Sequence, residues 1–123
     1  MNICPFCHGM KPFLESGLSY AKYDLYPVSD GHSLVIPKRH IASYFEATDQ
    51  ERYDLWKLVD EVKTMLEGQH SPDGFNIGIN DGVAAGQTIP HLHIHIIPRY
   101  AGDMDNPAGG VRGVIPSKQR YTT

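Results

Sequence analysis

The chain has 123 residues, 41% of them hydrophobic and 20% charged, with a formal net charge of −3 at pH 7. That size and balance suit one compact domain with its own core, expected over 1–123. The absence of a Lys/Arg block argues against broad binding to a nucleic-acid backbone, the short apolar runs argue against a membrane span, and "MNICPFCHGM" lacks the charged start and apolar stretch of a secretory leader, so a soluble, cytoplasmic protein is expected.

In chain order, Cys4 and Cys7 come first as a C-x-x-C. The pair suits metal binding or redox chemistry better than a disulfide framework, and because it opens the chain rather than sitting at a strand-to-helix turn, metal binding is favoured. A closed tetrahedral site needs four ligands, so two of the seven histidines would have to join the cysteines. Spacing alone does not say which. Two extended stretches follow, 18–26 and 32–37, separated by a Pro, Ser, Asp and Gly turn cluster that reads as a hairpin with a long loop. Thr48 and Glu51 form a capping-box signature. Leu55, Leu58, Val59, Val62, Met65 and Leu66 then recur at helical spacing, which predicts an amphipathic helix over 49–67 ended by Gly68. "GFNIGIND", 74–81, predicts a third strand. A Gly, Ala and Gln loop leads from it to "HLHIHIIPR", and the chain from residue 99 is a Gly- and Pro-rich tail suited to wrapping a surface or a partner.

The histidine run carries the chemistry. On a strand His91, His93 and His95 would share one face, with Leu92, Ile94 and Ile96 on the other packed toward the helix. This makes an α+β domain with the histidines lining a cleft on the far side of the sheet. One histidine on such a strand is commonly a satisfied core residue, but three would bury too many ring nitrogens without partners. Two functional readings remain, a three-histidine metal site or a nucleophile with helpers. The lack of Asp or Glu on the strand favours the nucleophile. The preceding "NDGVAAGQTIPH" offers Asn80, Gln87 and Thr88 among small residues and glycines, a composition that can hold phosphate oxygens without added charge.

"GQTIPHLHIHIIPR" and "DGHSLVIPKRHI", with "NDG" and the helix between, resemble the histidine triad (HIT) family across essentially residues 2–100. The resemblance implies the HIT fold, an antiparallel β-sheet with one long helix packed on one face, assembled as a homodimer. It implies that His93 attacks the α-phosphorus of a nucleotide to form a nucleotidyl-histidine, which water resolves to a nucleoside monophosphate. His95 would position the α-phosphate and leaving group, Asn80 and Thr88 would contact phosphate, Asp24 would bond the ribose hydroxyls, and His32 would orient the triad from behind. Gln87 joins this nucleotide-binding set. Cys4, Cys7, His40 and His91 match a zinc site, with 1–10 as a zinc-binding N-terminal segment and the metal structural rather than catalytic. The substrate implied is a purine, most simply adenine, dinucleotide of the diadenosine tetraphosphate kind, giving AMP, and the tail is similar to that of bacterial diadenosine polyphosphate hydrolases, with Arg99 and Arg112 placed to meet further phosphates. His95 stands where the related uridylyltransferases and dinucleotide phosphorylases carry glutamine. The rival implications are an adenosine phosphoramidase of the Hint type and a nucleotide-binding signalling protein with incidental turnover; a three-histidine metal enzyme would instead demand a β-barrel.

Overall fold

Thr48 starts the long helix as its sequence predicts. Its hydroxyl accepts from the Glu51 amide at 3.0 Å while the Glu51 carboxylate accepts from the Thr48 amide at 2.9 Å, so two of the unpaired donors at the helix start are satisfied reciprocally. Helix α1 runs Asp49–His70, past Gly68, where a stop was expected. A glycine inside a helix costs only about 1 kcal/mol relative to alanine, and the turn around it is anchored by fully buried Leu66. The helix ends instead at Ser71, whose left-handed backbone (φ 51°) lets its amide reach the Glu67 carbonyl.

The computed structural model describes residues 3–121; the two residues at each end of the expected domain lie outside the described residues. Five strands, β1 (Leu14–Glu15), β2 (Ser19–Tyr23), β3 (Ser33–Pro37), β4 (Gly74–Ile79) and β5 (Ile94–Arg99), form one antiparallel sheet in the order β1-β2-β3-β5-β4. The two-residue β1 has no signal in the sequence. The expected strand 18–26 stops at Tyr23 because Asp24 turns the chain, its carboxylate accepting from the Tyr26 amide at 2.8 Å. The expected strand 74–81 likewise ends two residues early, at Ile79.

The histidine run departs most from expectation. Only residues from Ile94 onward belong to β5. The amides of His91 and Leu92 pair with the carbonyls of Ile89 and Ile41 in loops, not with β3. The alternation survives this, and Leu92, Ile94 and Ile96 are buried with Leu55, Leu58, Val59, Val62 and Leu66 between sheet and helix, as predicted. A smaller cluster of Phe6, Tyr20, Leu34 and Ile36 covers the opposite face. The tail forms short 3-10 turns, Gly110–Val114, which lies against β4 of its own chain, and Pro116–Lys118, which packs on the first turn. Among the described residues no helix is long and apolar enough to cross a membrane.

Buried Glu51 does double service, since the Arg39 guanidinium also grips it through two bonds of 2.8 and 3.0 Å. These bonds from Arg39, ahead of those from Thr48, hold its carboxyl well below 4.5, at about 2. A depressed carboxyl pKa contributes stability that is complete above pH 4.5 and is lost as pH falls toward 2. Glu51→Gln should therefore lower stability at pH 7 by about 2 kcal/mol, allowing for the exposure of Arg39, and should flatten the acid limb of the stability curve in that window, as read by urea titration at a series of pH values.

Candidate active site

Backbone groups decide what each ring of the histidine run can do. A carbonyl only accepts, so a ring nitrogen bonded to one carries the proton; a backbone N–H only donates, so a ring nitrogen bonded to one does not. His93 donates from Nδ1 to the His91 carbonyl at 2.9 Å, which leaves its Nε2 with a free lone pair. His91 donates from Nε2 to the Pro37 carbonyl at 2.8 Å, which leaves its Nδ1 free. The neighbouring rings thus present opposite nitrogens.

His95 is set through a longer chain. The Val28 amide donates to His32 Nδ1 at 3.1 Å, so His32 carries its proton on Nε2. That nitrogen lies 3.0 Å from His95 Nδ1 and 3.4 Å from the Asp24 carboxylate. His95 Nδ1 therefore accepts, and its remaining nitrogen, Nε2, is a donor. Burial first, then the nearby His93 and His32 rings, holds His95 down at about 4, so it is a neutral donor at physiological pH. Burial likewise lowers His32, against the opposing pull of Asp24. Asp24, His32 and His95 are close enough to resemble a metal-ligand trio. The Val28 amide rules against that use, because it commits His32 Nε2 to holding a proton. The three-histidine metal reading fails on geometry too, since His91 turns to the cysteines while His95 turns to Asp24 and His32.

The rings of His93 and His95 stand 5.0 Å apart, with Phe6 edge-on to His93 at 5.1 Å. His95 opens onto a cavity of 640 Å³ lined also by His32, Asn80, Asn76, Arg99 and Val114. The structure thus brings Asp24, His32 and His93 against His95, with Asn80 on the cavity that His32 and His95 also line; His93 and Asp24 are not part of that lining. Thr88 is exposed in the loop before His91 and is not part of the cavity lining. Gln87 is engaged otherwise. Its carbonyl oxygen accepts from the Gly82 amide at 2.8 Å and its amide donates to the Ala42 and Ile89 carbonyls, so in this structure it closes the loop around Gly82 and Gly86, both at φ 96°. Arg99 is clamped by two bonds to Asp103 and one to Asn76, and Arg112 lies 4.4 Å over the Tyr121 ring; both now order the tail. Sequence reading missed the Val28 amide and the Pro37 and His91 carbonyls, for which no side-chain signal exists.

A second cluster lies behind His93. Cys4 and Cys7 sulfurs stand 3.3 and 3.4 Å from His91 Nδ1, Cys7 lies 3.2 Å from His40 Nδ1, and the two Nδ1 atoms are 3.1 Å apart. A tetrahedral ion with bonds of about 2.0 Å to nitrogen and 2.3 Å to sulfur sets nitrogen–nitrogen edges of about 3.3 Å and nitrogen–sulfur edges of about 3.5 Å, so the four donors fit a divalent ion such as zinc with a slight expansion. His91 offers the required bare nitrogen because Pro37 holds the other. Without a cation the Cys7 thiol disfavours ionisation, raised by burial first and then by the adjacent Cys4.

A model of the HIT domain matches residues 10–102. The chain belongs to the HIT domain family. This HIT domain is 44% identical over 95 residues to the bis(5'-nucleosyl)-tetraphosphatase [asymmetrical] of Schizosaccharomyces pombe, covering 77% of this chain and 52% of that protein. It is 36% identical over 108 residues to the AP-4-A phosphorylase of Mycobacterium tuberculosis, covering 85% of this chain and 55% of that one. It thus spans about half the length of these curated relatives. A crystal structure of a Zn-bound histidine triad family protein from Mycobacterium smegmatis superposes with a TM-score of 0.68 at 34% identity, covering 75% of this chain and 67% of that one.

The proton positions are directly observable. Long-range proton–nitrogen correlation spectra of the ¹⁵N-labelled protein at pH 7 should show His93 protonated at Nδ1 and His95 at Nε2. Both rings protonated on the same nitrogen would contradict the assignment.

Proposed function

We propose that this HIT domain cleaves a dinucleoside polyphosphate, of the diadenosine tetraphosphate kind, at the α-phosphorus and releases a nucleoside monophosphate, AMP from an adenine substrate. The bond from His93 Nδ1 to the His91 carbonyl carries this reading, because it leaves Nε2 unprotonated beside the donor of His95. His93 Nε2 attacks phosphorus, and the bridging P–O bond on the leaving side breaks with its electron pair on oxygen. His95 Nε2–H donates a hydrogen bond to that oxygen and keeps its proton, so the leaving polyphosphate departs as its anion. The resulting nucleotidyl-imidazolium keeps its Nδ1–H on the His91 carbonyl, which stabilises the positive charge. Water then attacks phosphorus, the P–N bond returns its pair to Nε2 to regenerate neutral His93, and the water proton leaves with the nucleoside monophosphate or passes to solvent. Covalent catalysis thereby divides one difficult displacement into two.

Asn80 and Thr88 are assigned to the phosphate oxygens and Asp24 to the ribose hydroxyls, with His32 as the group that positions His95. For Gln87 the bonds to Gly82, Ala42 and Ile89 support a role in shaping the phosphate loop in place of direct contact. Cys4, Cys7, His40 and His91 are assigned to a structural zinc. Bound there, the ion supplies no chemistry to the reaction and fixes His91, whose carbonyl orients the nucleophile. The name of the S. pombe relative supports hydrolysis of the asymmetrical kind. That of the M. tuberculosis relative supports a second reading, in which inorganic phosphate takes the place of water and the product is a nucleoside diphosphate.

Incubation with diadenosine tetraphosphate in ¹⁸O-water, with and without inorganic phosphate, separates these. Hydrolysis through His93 places the label in AMP alone and is indifferent to phosphate; phosphorolysis gives ADP and needs phosphate. His93→Ala should lower kcat at least a thousandfold while changing the affinity for AMP little. Retained turnover in that variant would refute the nucleophile.

A further inference from the structure

The cavity beside His95 is larger than the chemistry at His93 requires. Along β5 one face carries His95, Ile97 and Arg99 in turn, and β4 sets Gly78 opposite His95 and Asn76 opposite Ile97 on that same face. The 640 Å³ cavity is lined by these residues and by Val111, Val114 and Gln119 of the tail, while His93 and Asp24 stand outside it. Sites for small molecules run from about 300 to 1,000 Å³.

Both walls are held in place. Gly78 has no side chain, and a Cβ built there would meet nothing within 4 Å, so space stands open across from the His95 ring. Arg99 is neutralised by Asp103 and takes the side-chain oxygen of Asn76. The tail wall is folded back on itself. Gly109, at φ 91°, passes so close to the Gln119 carbonyl that a Cβ would overlap it, and the Arg112 guanidinium and the Gln119 amide close the same loop. Val111 and Val114 nevertheless remain 65% and 77% exposed, apolar side chains kept beside open space. Apolar walls whose one guanidinium is already paired suit the flat, uncharged rings of a nucleoside better than further phosphates.

Sheet order says which nucleoside. Asp24 leaves the end of β2, on the β3 side of β5, whereas β4 and the cavity lie on the other side. A substrate with its transferred nucleoside at Asp24 and its phosphorus at His93 sends the leaving oxygen to the His95 donor. Whatever that oxygen carries then passes His95 and Asn80, which line the cavity.

Resting on the nucleotidyl-histidine reading above, we propose that this cavity binds the second nucleoside of the substrate, the one that departs with the polyphosphate. The tail thereby makes the chain select dinucleotides over mononucleotides of equal phosphate length.

The test compares diadenosine tetraphosphate with adenosine tetraphosphate, which keeps the same phosphates and lacks only the second nucleoside. Both are measured as substrates, and as equilibrium ligands of His93→Ala, in the presence and absence of Gly78→Val or Val114→Ala, with thermal melting and solution mass as checks. The dinucleotide should be favoured at least about tenfold in kcat/KM and in affinity, above the factor of about two that its two equivalent ends supply. Gly78→Val, which fills the cavity, should bring the ratio close to that factor by weakening the dinucleotide. Val114→Ala, on an exposed turn, should lower it by a smaller amount. A ratio of about two before any substitution, or one unchanged in both folded variants, overturns the proposal. An equal loss for both compounds also overturns it, placing the transferred nucleoside in the cavity, and an unchanged ratio with a halved solution mass makes the cavity an interface between copies. If neither compound is turned over while the dinucleotide still binds more tightly in a Gly78-dependent way, the catalytic reading fails and the subsite stands.

Discussion

The bond from His93 Nδ1 to the carbonyl of His91 is the constraint on which the rest depends. It is short in sequence, spanning two residues, and it works only if the His91 carbonyl is held still. His91 is fully buried, with one ring nitrogen on the Pro37 carbonyl and the other among Cys4, Cys7 and His40. The metal-type cluster and the proposed nucleophile are therefore consecutive parts of one line running from the N-terminal cysteines through His91 to His93. On this account the cysteines influence chemistry by fixing a carbonyl, with no contact to the reacting phosphorus.

The same economy governs His95. The tight turn that ends β2 at Asp24 also presents the Val28 amide to His32, and that amide fixes the proton on His32 and hence the one on His95. A donor ring and the ring proposed as nucleophile thus stand side by side without a charged group between them, because two backbone atoms of opposite polarity face the two sides of the site. Burial supports this arrangement. It keeps His95 at about 4 and neutral, so a hydrogen-bond donor is present without the repulsion that a cation would exert on the Nδ1–H side of His93.

Much of this was legible in the sequence where side-chain periodicity or capping chemistry was the cause. Thr48 and Glu51 announced the helix start, and the alternation of Leu92, Ile94 and Ile96 announced which face meets α1. The errors share a physical origin. Gly68 signals a stop by propensity alone, without the tertiary anchor of Leu66, and the histidine run signals a continuous strand because pattern shows which way side chains alternate but not which backbone pairs with which. Backbone carbonyls and amides leave no trace in residue identity, so the groups that set every proton position were invisible. The partners of the arginines at 99 and 112 were hidden for a related reason: long basic side chains find whatever acceptor the folded tail offers, here Asp103, Asn76 and Gln119, with Arg99 still on the cavity wall.

The central claim is that His93 carries the nucleotide covalently between two displacements. Rapid-quench mixing of the protein with α-labelled diadenosine tetraphosphate, followed by denaturation and mass analysis of its peptides, tests it most directly. The account predicts a nucleotidyl adduct on the peptide containing His93, formed faster than AMP accumulates and absent from His93→Ala. Steady production of AMP with no adduct at any time, or an adduct on another residue, would contradict it.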